Sequence, residues 1–124
     1  MPKPRRVDPR FKGRNDYLKR LPADHYRGQA FVHWSMTVDK RRTGWLSETV
    51  YHRFREVLTH ALFRYSVCCP IYCCMPDHLH LLWVGIAGRS DQRLAARFFR
   101  TQWNVVLESL DVRLQDQPYD HVCA

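Results

Sequence analysis

An alternating stretch from His78 to Trp83 constrains the fold of this chain more than any other feature of its sequence. Successive side chains of a β-strand point to opposite faces, so His78 and His80 share one face of such a strand while Leu79 and Leu81 share the other. An apolar strand face is covered by other elements, usually helices. The stretch therefore predicts a strand that contributes to a core on one side and presents two histidines on the other.

A second strand and a helix are predicted earlier in the chain. Residues 29–39 alternate as well, and His33 lies on the polar face, where both a ligand contact and plain solvent exposure stay open. Ser47 is a suitable N-cap for a following helix, with Glu48 in its first turn. The apolar face of the strand comprises Val32, Trp34, Met36 and Val38. The helix has an apolar stripe that indicates a core contact, formed by Val50, Phe54, Val57, Leu58, Ala61 and Leu62.

The remaining elements complete the pattern of a known architecture. Residues 65–74 predict a strand in which Pro70 indicates an edge position or a bulge, and Pro76 with Asp77 indicates a tight turn into the histidine strand. Ser90 and Asp91 are expected to cap a second helix. That helix is predicted to run to about Leu110, with Leu94, Phe98, Val105 and Val106 among its buried residues.

Residues 111–114 are expected to form a last short strand. The order strand, helix, strand, strand, helix, strand is typical of an α+β, ferredoxin-like β-α-β-β-α-β fold, with helices on one face of an antiparallel sheet. His78 and His80 would lie on the free face, where two imidazoles can hold one metal ion.

Two segments carry a resemblance to a family. Residues 75–83 read Met-Pro-Asp-His-Leu-His-Leu-Leu-Trp, which resembles the metal-binding strand of the single-tyrosine HUH transposases, the insertion-sequence and REP-associated tyrosine transposases. Residues 115–122 are similar to the Trp-Gln-x-Gly-Tyr-x-Asp-x-Val segment of that family but lack its Trp and Gly. The resemblance extends over residues 29–122.

The resemblance implies a metal-dependent DNA transposase of a mobile element. His78 and His80 would be the catalytic, metal-binding residues, with Mg²⁺ or Mn²⁺ as the cofactor and single-stranded DNA with hairpin or repeat ends as the partner. Strand cleavage would leave a 5′-phosphotyrosine. In the family the nucleophilic tyrosine lies on a helix after the Tyr-x-Asp-x-Val segment, and none of the six tyrosines matches it. Tyr119 is a weak candidate expected to pack, so the sequence predicts a transposase truncated before its tyrosine-bearing helix.

The charge balance favours a polyanionic partner. Twenty Lys and Arg residues against twelve Asp and Glu give a net charge of +8, which favours nucleic acid over a membrane surface. Residues 1–28, rich in Pro, Arg and Lys, are predicted to form a flexible arm, and residues 29–124 a single transposase-like domain, for which a homodimer stays open. The residues predicted to contact phosphates are Lys40, Arg41, Arg42, Arg93, Arg97 and Arg100.

The five cysteines do not form a zinc pattern. Cys68-Cys69 and Cys73-Cys74 are adjacent pairs without the Cys-x-x-Cys spacing of zinc sites. An odd count also argues against a secreted disulfide framework. We interpret them as small buried thiols of a cytoplasmic protein, since no run of apolar residues is long enough for a membrane span.

Two other function classes stay open. One is a non-catalytic single-stranded nucleic-acid-binding domain derived from such a transposase, in which exposed aromatic residues stack on bases and arginines contact phosphates. The other is a metalloenzyme or metal-sensing domain that uses His78 and His80. DNA binding without metal dependence would favour the first, and metal uptake without DNA affinity the second.

Overall fold

The structure, a computed structural model, describes residues 22–123. The elements are β1 Phe31–Thr37, α1 Glu48–Tyr65, β2 Val67–Met75, β3 His78–Gly85, α2 Gln92–Glu108 and β4 Tyr119–Cys123. The four strands form one sheet in the order β2-β3-β1-β4, and every neighbouring pair is antiparallel. The order of elements and of strands is that of the ferredoxin-like fold, so the predicted α+β architecture is confirmed.

Both helices pack on one face of the sheet, where the core lies. Trp83 of β3 contacts Phe99 of α2 edge to face, with ring centroids 6.3 Å apart, and Phe54 of α1 contacts Trp103 of α2 at 5.6 Å. The alternation predicted for β1 and β3 is present, because every second residue is buried under the helices. The opposite face of the sheet carries no helix of the described residues.

The helix starts follow the predicted capping. The Ser47 side chain accepts a hydrogen bond from the Val50 amide at 3.2 Å, and the Asp91 carboxylate accepts from the amides of Arg93 and Leu94. Each cap satisfies amides that have no partner within the helix. The predicted stripe of α1 lies against the core, with Val57 and Leu62 only partly buried.

The buried set predicted for α2 is wrong for two of its four residues. Leu94 and Val105 are exposed, and Phe98 and Val106 are only partly buried. Two apolar stripes of α2 fit the helical period, and the stripe with the larger aromatic volume faces the sheet. The buried residues are Gln92, Ala95, Ala96, Phe99, Trp103 and Leu107.

The predicted last strand is also wrong. Asp111 takes a left-handed conformation with φ of 62° just after α2, which prevents an extended start, and Leu114 forms only an isolated bridge with Val38. The fourth strand is β4, which lies after Pro118 and pairs with β1. The sequence signal was ambiguous because residues 111–114 also alternate in polarity.

Strand β2 lies at an edge of the sheet, as Pro70 predicted. The register with β3 shifts between Cys68 and Ile71, which is the bulge expected at a proline that lacks a donor. Pro76 and Asp77 form a two-residue turn between β2 and β3, also as predicted. This turn starts β3 at His78.

The packed domain begins before the predicted boundary at Gln29. Residues 1–21 lie outside the described residues, so the arm stays a prediction there. Tyr26, in contrast, is fully buried, and its hydroxyl donates to Asp120 Oδ2 of β4 at 2.6 Å. The Gly28 amide donates to the Ser90 carbonyl at 2.9 Å. Residues 22–28 therefore belong to the fold.

Candidate functional site

The helix-free face of the sheet carries the histidines. His78 and His80 are both half-buried on this face, two positions apart on β3, while Leu79 between them is fully buried. His33 lies on the same face of β1, since the paired residues of neighbouring strands share a face and His33 is paired with Leu82. We call this surface, formed by the outward side chains of the four strands, the histidine face.

Three imidazoles form a continuous contact on the histidine face. The Nε2 atoms of His78 and His80 are 3.0 Å apart, and Nδ1 of His80 lies 3.0 Å from Nε2 of His33. His33 and His80 are separated by 47 residues in sequence. The sequence placed His33 on the correct face, and only the pairing of β1 with β3 shows that it contacts His80.

One end of this cluster is fixed by a carboxylate and a guanidinium. Asp77 Oδ1 lies 2.7 Å from Nδ1 of His78, and Asp77 Oδ2 accepts a hydrogen bond from Nε of Arg41 at 2.8 Å. The hydrogen bond from His78 and that from Arg41 hold the pKa of the Asp77 carboxyl below its ordinary value, although partial burial acts in the opposite direction. Asp77 is therefore an acceptor for both neighbours.

The contact with Asp77 fixes which nitrogen of His78 faces the cluster. Since the Asp77 carboxylate can only accept, Nδ1 of His78 donates to it, and Nε2 is the ring nitrogen that faces His80. Burial lowers the pKa of His80, and the charges of His78 and His33 lower it further. The Nε2 atoms of His78 and His80 thus face each other on the same side of β3.

The histidine pair fits a divalent cation as two ligands. Two nitrogens bound about 2.0–2.1 Å from one cation at a right or tetrahedral angle lie roughly 2.9–3.4 Å apart, and the two Nε2 atoms are 3.0 Å apart. The bond from His78 to Asp77 is of the kind that orients a histidine ligand in metal sites. Within residues 22–123, no group of three or more His, Cys, Asp or Glu side chains is arranged to hold a metal.

The basic residues predicted near β1 lie in the loop that follows this strand, and Arg41 reaches Asp77 at one end of the histidine face. Lys40 and Arg41 occupy a short 3-10 helix, Asp39–Arg41, and both have positive φ, at 58° and 53°. Arg41 is engaged with Asp77, so its role is to hold the turn beside His78 as well as to add positive charge. Arg42 is exposed, and its carbonyl accepts from the Trp45 indole at 3.0 Å.

The three arginines of α2 lie together, but on the helix side of the sheet. They line one cavity of about 160 Å³ beside the segment that leads into β4. Arg97 is exposed and forms no ion pair within the described part of the chain, while Arg100 donates to the Gln115 carbonyl. The cavity is lined by Arg93, Arg97, Arg100, Trp34, Ala96, Asp116, Gln117 and Pro118. The two predicted basic groups therefore lie on different sides of the sheet.

The cysteines are all free thiols, as expected, but they are not all buried. Cys68 and Cys73 are exposed, whereas Cys69 and Cys74 pack against the core. Burial raises the pKa of each of these two packed thiols to about 11. The interpretation as buried thiols is wrong for the exposed pair, because neighbouring residues of an edge strand point to opposite faces.

Tyr119 is the described tyrosine on the histidine face. Its side chain is 53% exposed, so the expected packing role is wrong. It lies opposite Ser35 of β1, and Ser35 in turn lies opposite His80 of β3. Two strand spacings, roughly 10 Å, therefore separate the backbone of Tyr119 from that of His80. The exposed position of Tyr119 was not predicted because the last strand was predicted at residues 111–114, before the observed β4.

Comparison with solved structures finds a similar fold in a transposase. The chain superimposes on the structure of a REP-associated tyrosine transposase bound to a REP hairpin, with a TM-score of 0.68 and 17% sequence identity. The match covers 80% of this chain and 59% of that one, so this chain spans less than two thirds of the transposase. At this identity the likeness shows the fold.

Sequence comparisons add no family. No family model and no curated protein matches the chain. Neither helix of residues 22–123 is long and apolar enough to cross a membrane.

Proposed function

We propose that this chain is a DNA-processing domain of the REP-associated tyrosine transposase type, which binds single-stranded DNA on the histidine face and uses a divalent cation held by His78 and His80. The observation that carries the proposal is the 3.0 Å separation of the two Nε2 atoms, with His78 oriented by Asp77. The similar fold of a hairpin-bound transposase supports the choice of DNA as partner.

Mn²⁺ is the cation that this donor set suits better. Mg²⁺ prefers oxygen ligands and keeps several of its waters, whereas imidazole binding strengthens toward the transition metals. When bound, the cation would polarise a phosphodiester oxygen and orient the phosphorus for attack. His78 and His80 bind, Asp77 holds the His78 ring, and His33 can exchange a proton with Nδ1 of His80.

The reaction proposed is transfer of a phosphodiester to a tyrosine. A phenolate oxygen forms a bond to phosphorus, the bond to the 3′ oxygen breaks, and that oxygen takes up a proton. The products are a 5′-phosphotyrosine and a free 3′-hydroxyl, so the phosphoester is conserved for rejoining. The family that the chain resembles carries its nucleophile on a helix after this segment, whereas Tyr119 lies on strand β4, and we therefore do not place the nucleophile at Tyr119.

The basic groups are proposed to bind the DNA backbone. Lys40 and Arg42 lie in the loop after β1, where Arg42 lines a cavity with Trp45 and Val112, and Arg93 with Arg97 lines the cavity beside β4. Contacts between such residues and phosphates release counterions, so affinity falls steeply with salt. Replacing Lys40 and Arg42 by Gln should reduce the salt dependence of binding, and replacing Arg93 and Arg97 should do so separately.

Metal binding gives the direct test. Titration of the purified chain with Mn²⁺ should show one site, and His78→Ala or His80→Ala should weaken it at least tenfold, since each removes one of two protein ligands. His52→Ala is the matched control, because His52 is an exposed histidine of α1. Equal Mn²⁺ binding by all four proteins would refute the histidine site.

A non-catalytic single-stranded nucleic-acid binder is the second candidate. It is favoured by the lack of a third protein ligand in the described residues and by the position of Tyr119. Incubation with labelled single-stranded DNA and Mn²⁺ separates the two candidates through a covalent protein–DNA adduct. We expect this chain alone to bind without forming the adduct. An adduct that is lost in Tyr119→Phe would identify Tyr119 as the nucleophile.

A further inference from the structure

Two aromatic rings are exposed on the histidine face without any role in the core. Phe31 of β1 is 49% exposed, and Tyr119 of β4 is 53% exposed. Phe31 is followed by the buried Val32 on β1, and Tyr119 is followed by the half-buried Asp120 on β4, so the register of β1 with β4 sets the outward direction of both rings. Covering these rings with another molecule would remove apolar surface from water, which is favourable.

The register places these rings at opposite ends of a histidine row. Phe31 pairs with Cys123, Tyr119 pairs with Ser35, and His33 pairs with His121 midway between them. Four strand residues separate the levels of Phe31 and Tyr119, which corresponds to about 13 Å at about 3.3 Å per residue. The same length holds about four base steps of a stacked strand at about 3.4 Å each.

The outward strand positions carry no carboxylate that would repel a polyanion, and the whole chain has a net charge of +8. The outward strand positions include histidines on β1, β3 and β4 but no Asp or Glu, because Asp120 points to the helix side and bonds Tyr26. Asp77, in the turn at one end, is paired with Arg41. The outward residues are Cys68, Ile71, Cys73, Met75, His78, His80, Leu82, Val84, Phe31, His33, Ser35, Thr37, Tyr119, His121 and Cys123.

We propose that Phe31 and Tyr119 are base-stacking residues that bracket a stretch of about four nucleotides of single-stranded nucleic acid across β1 and β4. The inference rests on the proposed function only in taking single-stranded DNA as the ligand. Aromatic rings accept any base, because every base has a π face. His33 and His121 contact the intervening nucleotides, and the strand runs past Ser35 toward His80.

Binding of a fluorescent oligodeoxythymidylate of about eight nucleotides tests the stacking. Phe31→Ala and Tyr119→Ala should each weaken binding roughly 5- to 100-fold, while Tyr119→Phe, which keeps the ring, should stay within about twofold. The loss of affinity should be the same at every salt concentration, and the slope of log affinity against log salt concentration should not change, since no phosphate contact is removed. Oligonucleotides shorter than about four nucleotides should not distinguish the wild-type chain from either variant.

Phe63→Ala is the matched control, because Phe63 is 88% exposed on α1, away from the histidine face. Unchanged binding in Phe31→Ala and Tyr119→Ala would overturn the proposal, as would losses equal to that of Phe63→Ala. The proposal would also be overturned if analytical sedimentation showed a dimer that Phe31→Ala dissociates while the DNA affinity stays unchanged. That result would assign the histidine face to contact with a second copy of the chain.

The outcomes separate this inference from the proposed function. Ring-dependent DNA binding without Mn²⁺ uptake supports the stacking residues and refutes the cation-dependent enzyme. Mn²⁺ uptake together with DNA binding that is unchanged in Phe31→Ala and Tyr119→Ala refutes the stacking residues but not the cation-dependent enzyme. A wild-type chain that binds no oligonucleotide at low salt refutes both.

Discussion

Asp77→Asn should lower Mn²⁺ affinity about 10- to 100-fold while His78 and His80 stay in place. Asp77 accepts from His78 Nδ1 at 2.7 Å and from Arg41 Nε at 2.8 Å. An asparagine has only one acceptor oxygen, so one of these two donors would face the amide nitrogen. If that donor is His78, its ring is driven to the tautomer that carries the proton on Nε2, which blocks the proposed cation position.

Electron paramagnetic resonance of free Mn²⁺ at neutral pH and fixed ionic strength measures the effect. Asp39→Asn is the control, since it removes an exposed carboxylate near the same loop without touching a histidine. Affinity of Asp77→Asn within about twofold of wild type, against the expected 10- to 100-fold loss, would refute the argument that Asp77 orients the ligand. Equal losses in both variants would assign the effect to general charge instead.

Three further predictions concern packing and reactivity. Gly85→Ala should destabilise the fold by about 3 kcal/mol or more in chemical denaturation, because an added Cβ would lie 1.7 Å from the Gly28 carbonyl oxygen. Gly88→Ala is the control and should be nearly neutral, because an added Cβ there has no atom within 4 Å. Gln92→Leu should cost about 2–4 kcal/mol by the same assay, since the fully buried Gln92 amide accepts from an indole and donates to main-chain carbonyls. Alkylation with iodoacetamide near pH 8, followed by peptide mass spectrometry, should label the exposed Cys68 and Cys73 well before the packed Cys69 and Cys74. The raised pKa of the two packed thiols leaves little thiolate until the pH approaches 11. Equal labelling rates for the two pairs would contradict this order.

The sequence predicted the fold well where periodicity and caps agreed. The alternation around His33 and His80, the caps at Ser47 and Asp91 and the bulge at Pro70 all rest on local geometry, which a single sequence reports directly. Those signals were sufficient to predict the strand and helix order. The faces of β1 and β3 followed from the same alternation.

The failures occurred where the local pattern had two solutions. Helix α2 has two stripes at helical spacing, and only packing against Trp83 and Phe54 selects the one with Phe99 and Trp103. The last strand was misplaced because nothing local reports that Asp111 takes a left-handed conformation.

The candidate site was predictable only in its local part. His78 and His80 share a strand, so their common face followed from their spacing. The contact of His33 with His80 and the place of Tyr119 depend on strand register, which residues far apart in sequence determine. The contact of Arg41 with Asp77 spans 36 residues and has no sequence signature.

The two-residue spacing of His78 and His80 has a thermodynamic consequence for the unfolded chain. If the pair binds a cation as proposed, its two-residue spacing keeps the two imidazoles close when the sheet is lost, whereas the contact with His33 requires β1 and β3 to pair. A ligand stabilises a protein only through its preference for the native state, and binding to unfolded histidines reduces that gain. Mn²⁺ should therefore raise the melting temperature less than its native-state affinity implies, and the shortfall measures how much of that affinity the unfolded chain retains.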